Sequence, residues 1–320
     1  MAKKHLLCLT LDTDPDGLNA QVADRKTLDW TGLEYAQRLP DELDRFAKEL
    51  GQVPITWFIR ADGQLESILG TSAYLLEQYD LFWSRMRAAG HELAWHPHLY
   101  RQARPEDAAV IISDDHEVRD ELNRLWGKLK TVFPATAFRN GEGWHTAASF
   151  AAVEQLGFLC DSTAIPGRRG PAGHPMNWEG APNQPYFPAA DKLCASGGER
   201  SMVELPMNSW LLQAPHDIAP RVRYMNPAVH PALFAKALEN WEVATNVSAA
   251  ELRVWVLIFH PEEVLPNRGP DGLYARSPQA LCTNLVSMVE RLRQLGQDFE
   301  WTTVSAAAER WRGHQLRRVA

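Results

Sequence analysis

An apolar run, Leu6-Leu7-Cys8-Leu9, continues through Thr10 and Leu11 and ends in two carboxylates, Asp12 and Asp14. Apolar residues in continuous rather than alternating order predict a strand covered on both faces, as in a buried parallel sheet. Similar runs recur at 53–59 (VPITWFI), 91–96 (HELAWH), 135–139 (ATAFR), 158–162 (FLCDS), 201–207 (SMVELPM), 252–260 (LRVWVLIFH) and 299–304 (FEWTTV). Between them the apolar positions take helical spacing. Leu43, Phe46, Ala47 and Leu50 predict a helix over 40–50 that Gly51 ends. Further helices are expected over 73–89, through Leu122, Leu125, Leu129 and Val132, over 147–155, 230–241 and 279–294, and from Ser305.

Strand and helix thus alternate seven or eight times, which predicts parallel strands joined by crossover helices. The expected fold is α/β: a single (β/α) barrel over residues 1–320, distorted, with seven or eight parallel strands. Two segments interrupt the rhythm. The polar stretch from Asp14 to about Arg25 predicts a loop over the top of the barrel. Residues 166–200, rich in Gly and Pro, predict an irregular loop insertion that serves the substrate. Neither a GxGxxG nor a phosphate-binding P-loop follows the first strand, which argues against nucleotide chemistry.

Composition narrows the function classes. Forty acidic residues against 33 Lys plus Arg give a net charge of −7, which argues against nucleic acid and against a polybasic membrane surface. Cys8, Cys160, Cys194 and Cys282 are widely separated without a CxxC, the pattern of neither a disulfide framework nor a zinc knuckle. The apolar run after Lys3-Lys4 is too short for a signal peptide. No segment approaches the ~20 apolar residues of a membrane span, so no membrane insertion is expected. These features together predict a cytoplasmic protein; they leave its oligomeric state open.

The chemistry-bearing residues fall at strand ends. Asp12 and Asp14 close the first strand, and two apart they face one side. His96, Arg139, Asp161 and His260 close four others, and Arg60 and Asn208 two more. In a parallel barrel these ends share the face where sites are built. Singly, each has a bland reading: a rim histidine, a turn-capping acid, a barrel-end ion pair. Together they form a cluster in which two repelling carboxylates need a cation or a proton between them. His96 and His98, two apart around Pro97, with an aspartate make a divalent-metal set with an open position. Zinc is the first expectation; cobalt, nickel and iron suit the same donors. Trp57, Trp255 and Trp301 lie in strands and belong to the core, whereas Trp144, Trp178 and Trp210 lie in or near loops, where they could stack on a sugar.

In these motifs the chain resembles the NodB-homology polysaccharide deacetylases, carbohydrate esterase family four, over roughly residues 5–310. LTLDTDPD resembles the first motif, which implies Asp12 as general base and Asp14 as metal ligand. GHELAWH leads into the second, whose first histidine ligand maps onto His96. The second family histidine comes four later, where this chain has Tyr100; spacing substitutes His98. FRNGEGW resembles the third motif, with Gly141 in place of its proline, and implies that Arg139 orients the base. CDST resembles the fourth, so Asp161 would hold the catalytic histidine. LIFH resembles the fifth: Leu257 would line the acetyl pocket and His260 would be the general acid. The implied activity is metal-dependent removal of an N-acetyl or O-acetyl group from a sugar or a small N-acyl compound, such as a carrier-linked intermediate of surface-polysaccharide assembly. Trp144 and Trp210 are the candidate substrate contacts. Hydrolysis of another C–N bond, as in allantoinase-like relatives, and a sugar-binding pseudoenzyme are the alternatives.

Overall fold

The computed structural model describes residues 4–17, 28–102, 104, 107–247, 250–268 and 271–319. The first apolar run forms β1 (Lys4–Asp12), fully enclosed from His5 onward. Around it stand β2 (Ile55–Arg60), β3 (Glu92–His96), β4 (Ala137–Phe138), β5 (Cys160–Asp161), β6 (Val203–Glu204), β7 (Leu252–Phe259) and β8 (Asp298–Trp301). Among the described residues these eight strands form one parallel sheet in the order β7-β1-β2-β3-β4-β5-β6, with β8 also pairing β1. The sheet curls into the expected distorted (β/α) barrel.

Two irregularities explain the distortion. β1 forks: its first half, Lys4 to Leu7, pairs with β8, and its second half, Leu9 to Asp12, pairs with β2. β8 is therefore a wedge at the amino-terminal end of the barrel. On the far side, among the described residues, the segment after β6 meets β7 through an isolated parallel bridge, Met207 to Val256. Side chains complete the seam. Gln184 donates to the Val254 carbonyl and accepts from its N–H, at 3.0 and 3.1 Å. The Val256 N–H donates to Asn208 Oδ1 at 2.6 Å, and the Ile258 N–H to the Met225 carbonyl at 3.1 Å. Amide side chains stand in for a missing strand and leave these buried donors satisfied.

The helices fall where the apolar spacing puts them, with local changes. The segment over 40–50 becomes helix Leu39–Phe46 and a 3-10 turn Lys48–Leu50, because Ala47 leaves the helical region. The segment over 73–89 divides into Tyr74–Gln78 and Asp80–Ala88 at Tyr79, which also turns out of helical geometry. Helix Ala147–Gln155 has its predicted bounds, fixed by a Thr146–Ser149 capping box. The other expected helices are Asp115–Leu129, which stops short of Val132, Pro231–Val247, Pro278–Gln294 and Val304–Val319, and two unexpected ones form over Thr31–Ala36 and Gly63–Leu69.

The insertion over 166–200 has little regular structure but is tied down. Arg169 bridges Asn177, Pro188 bridges Ser196, and Met176, Trp178 and Tyr186 are buried. Residues 18–25 of the expected polar loop lie outside the described residues. All four cysteines are free. Among the described residues no helix is long and apolar enough to cross a membrane.

Candidate active site

β1 carries Thr10 and Asp12 on the face opposite Leu9 and Leu11. Arg139, one residue beyond β4, reaches across to them. Its Nη1 donates to Asp12 Oδ1 at 2.6 Å and to Thr10 Oγ1 at 3.1 Å. Its Nε and Nη2 donate to the carbonyl and hydroxyl of Ser162 at 2.8 and 3.0 Å. The guanidinium lies 3.8 Å over the Phe58 ring. Every arm of this buried cation is committed, so the orientation of the Asp12 carboxylate is set, with Oδ2 left on the side of His96, 3.8 Å away.

Beyond Asp12 the chain turns sharply, the Asp14 N–H donating to the Asp12 carbonyl at 3.0 Å. The turn keeps Asp14 facing the same centre as Asp12. Pro97 holds His96 extended, and the His98 N–H donates to Asp62 Oδ2 at 3.1 Å. Asp14, His96 and His98 thereby converge. Asp14 Oδ1 lies 3.1 Å from His98 Nε2, the two Nε2 atoms are 3.3 Å apart, and Asp14 Oδ2 is 3.6 Å from His96 Nε2. Burial opposes ionisation of Asp14, but the charges and hydrogen bonds of His98 and His96 outweigh it and hold its carboxyl well below the usual range. Burial likewise opposes a charge on His96, yet Asp12 and Asp14 raise it.

The donor set suits a divalent metal. With ligand distances of about 2.0–2.1 Å, tetrahedral zinc separates its donor atoms by roughly 3.3 Å, the spacing found here. His96 Nδ1 pairs with the Arg139 carbonyl at 2.9 Å, which assigns the proton to Nδ1 and leaves the Nε2 lone pair facing the centre. His98 Nδ1 is buried without a hydrogen-bond partner, with Glu142 Oε1 at 3.9 Å. Arg60, buried at the end of β2, stands behind Asp14 at 3.4 Å and is fixed by Asp62 at 2.8 Å. Room for His98 comes from Gly141, whose Cα meets the imidazole ring.

His260 follows β7 on the opposite side, its Nε2 4.0 Å from Asp14 Oδ2. The carboxylate that holds it is Glu263, with Oε1 at 3.1 Å from Nδ1 and Oε2 accepting the His260 N–H at 3.0 Å. Asn226 donates to the same Glu263 Oε2 at 2.7 Å. Burial alone would lower the imidazole, but Glu263, with Asp12 and Asp14 behind it, pushes it up to about 10.

Asp161, expected to hold His260, is engaged elsewhere. It accepts from Thr163 at 2.7 Å and pairs with His145 at 3.4 Å. Burial would raise its pKa, but His145, Glu204 and Thr163 lower it, while burial and the Asp161 charge raise that of neighbouring Glu204. This buried knot supports the strand that carries Ser162, and so acts behind Arg139. The replacement is legible in retrospect: His260-Pro261-Glu262-Glu263 has the spacing of a helix start whose fourth residue folds back on the first.

Other expected contacts also move. Leu257 pairs with Leu9 and Ile258 with Thr10, so Leu257 faces the helix layer, fully buried, and Ile258 faces the cleft. Trp144 is buried at 1% exposure and Trp178 at 2%, the latter donating to the Gly143 carbonyl, so neither offers a sugar platform. Trp210 stacks on Trp255, with ring centroids 6.4 Å apart. A cleft of about 220 Å³ remains, walled by Ile165, Met176, Met207, Ile258, Arg168 and Tyr224 around the polar centre. Glu142, Arg168 and Tyr224 carry no signal in the sequence that would have singled them out.

No family model matches the chain, and no curated protein matches it. Solved structures do. A protein assigned as a polysaccharide deacetylase from Mycobacterium smegmatis superposes with TM-score 0.54 at 20% identity, over 98% of this chain and 92% of that one. One assigned as a glycoside hydrolase/deacetylase from Parabacteroides distasonis gives 0.61 at 14% identity, over 98% and 72%. The Puue allantoinase gives 0.54 at 13% identity, over 97% and 90%. The chain shares the fold of these three proteins.

Proposed function

We propose that this chain, built on the polysaccharide deacetylase fold, is a divalent-metal-dependent hydrolase that releases an acyl group, acetyl in the first instance, from the nitrogen of a sugar or other small compound. The carrying observation is the convergence of Asp14, His96 and His98 at donor spacings of 3.1–3.6 Å between a carboxylate clamped by Arg139 and an imidazole paired with Glu263.

A cation held by Asp14, His96 and His98, zinc first, would polarise the acyl oxygen and make water a better nucleophile. Asp12, clamped by Arg139, is placed to take the proton of the attacking water through Oδ2. His260, kept protonated by Glu263, stands opposite and would give its proton to the departing amine. Ile258, Met207, Ile165 and Met176 form the apolar wall for the acyl group and exclude bulk water. The products are a carboxylic acid and a free amine.

The modest volumes of this cleft and of the adjoining one of about 290 Å³ that also borders Asp14, His98 and His260, with the burial of Trp144 and Trp178, favour a small substrate over a polymer chain. They keep cyclic amides and ureides as a second substrate class for the same chemistry. The test is acid release from a panel of N-acetyl sugars, N-acyl amino acids and cyclic amides. Turnover that a chelator abolishes and zinc restores supports the reading. Zinc-loaded protein inert on all three classes refutes it.

A further inference from the structure

Arg168 projects from the turn that opens the 166–200 insertion. Its backbone is fixed there: its N–H donates to the Ile165 carbonyl at 2.9 Å, and its carbonyl accepts from the Trp178 N–H at 2.8 Å. The side chain is half-buried and lines the catalytic cleft together with Asp12, His98 and His260. Among the described residues its guanidinium has neither an ion pair nor a side-chain hydrogen bond. The neighbouring arginines are all paired: Arg60 with Asp62 and Asp14, Arg139 with Asp12, and Arg221 and Arg223 with Asp217 at 3.5 and 2.8 Å.

Arg168 and Tyr224 also wall a second cleft of about 200 Å³, which shares these two residues with the first. Arg221, Arg223, Asn226 and Tyr274 complete it. The Arg223 Nε is buried there without a hydrogen-bond partner. In a chain of net charge −7, Arg168 thus stands beside the centre where the acyl group would bind as a guanidinium without an ion pair, next to two that Asp217 neutralises. A partly buried cation without a counter-charge is unfavourable unless a ligand supplies one. The planar fork of arginine fits carboxylate and phosphate oxygens two at a time.

We infer that the substrate carries an oxyanion, a carboxylate or a phosphate, a short distance from its scissile N-acyl group, and that Arg168 binds it at the junction of the two clefts. This rests on the hydrolase reading for the position of the acyl group, and it narrows the substrate from any small N-acyl compound to an anionic one.

The experiment is calorimetric titration of the zinc-loaded full chain carrying Asp12→Asn, so that bound ligand is not consumed. Matched pairs separate the two anion sources: N-acetylglucosamine 1-phosphate against N-acetylglucosamine, and N-acetylalanine against N-acetylalaninamide. One anionic member is expected to bind about tenfold or more tightly than its neutral partner. Arg168→Ala should bring the two to parity, and Arg168→Lys should retain part of the difference. Equal binding within both pairs, or a preference that survives Arg168→Ala, overturns the inference. Acid release from the same compounds by wild-type protein reports the hydrolase reading separately. Arg168-dependent binding without turnover would refute the reaction and leave the anion site standing.

Discussion

The imidazole of His98 lies against the Cα of Gly141. A methyl group there would stand 2.2 Å from His98 Cδ2 and 2.5 Å from Cγ, inside any tolerable contact. Two departures from the deacetylase motifs, a histidine two rather than four after His96 and a glycine where the third motif has proline, are therefore one local arrangement. Tyr100, at the position of the usual second histidine, stacks near His98 and donates to Glu142 Oε1 at 2.8 Å. Glu142 adopts φ +59° to meet it, a conformation that costs a non-glycine residue roughly 1–2 kcal/mol.

Gly141→Ala is expected to displace His98 and weaken zinc binding by about 10–100-fold, the size of a lost supporting contact at a metal centre. The neighbouring backbone, pinned by the Gly141 N–H to the Pro97 carbonyl at 2.8 Å, should keep its fold. Competition with a chromophoric chelator measures the affinity, and circular dichroism checks the fold. Unchanged affinity would mean that His98 is not a ligand.

Asp12→Asn should leave zinc affinity near that of wild type and lower kcat by about 10²–10⁴-fold, the usual contribution of a general base. Retained turnover would remove Asp12 from that role. Arg139→Lys should reduce kcat as well, because a point charge cannot replace the four hydrogen bonds the guanidinium makes to Asp12, Thr10 and Ser162.

In metal-free protein the His260 imidazole is raised to about 10 by Glu263, Asp12 and Asp14 against the opposing effect of burial, from about 6.5 in the unfolded chain. A raised folded value means stabilisation present in full below about pH 6.5 and lost as the pH climbs through about 10. Wild type should therefore exceed His260→Gln in unfolding free energy near neutral pH, and the gap should close in alkaline solution. Denaturant titrations with chelator at both pH values test this. A gap that widens with pH contradicts the sign.

The register of β7 separates two adjacent residues. Leu257→Ala should destabilise the fold by about 2–5 kcal/mol, as a buried core truncation does. Ile258→Phe should instead lower kcat/KM by filling the cleft, with a smaller loss of stability. Thermal unfolding and kinetics on both variants distinguish them; the reverse pattern would place Leu257 in the cleft.

The barrel was legible because buried parallel strands announce themselves as continuous apolar runs, and helices as spaced ones. The fork in β1 was not, since β2 and β8 present similar runs and only tertiary packing decides which half of β1 each one takes. Asp12, Asp14, His96, His98, Arg139 and His260 were readable because strand ends share a face. Their partners were harder. Asp161 and Glu263 are both acids near the expected site, and motif resemblance favoured the one at a strand end. The chain instead turns after His260 so that Glu263 folds back onto it. Trp144 and Trp178 sit in loops by sequence yet are buried, because the ordered insertion covers them.

Zinc content after metal loading and desalting, in wild type and in His98→Ala, tests the central claim most directly. About one equivalent in wild type, lost in the variant, is the predicted result for a three-donor site of Asp14, His96 and His98. Wild-type protein that holds no metal after loading would contradict the metal-dependent hydrolase and leave a sugar-binding module as the better account.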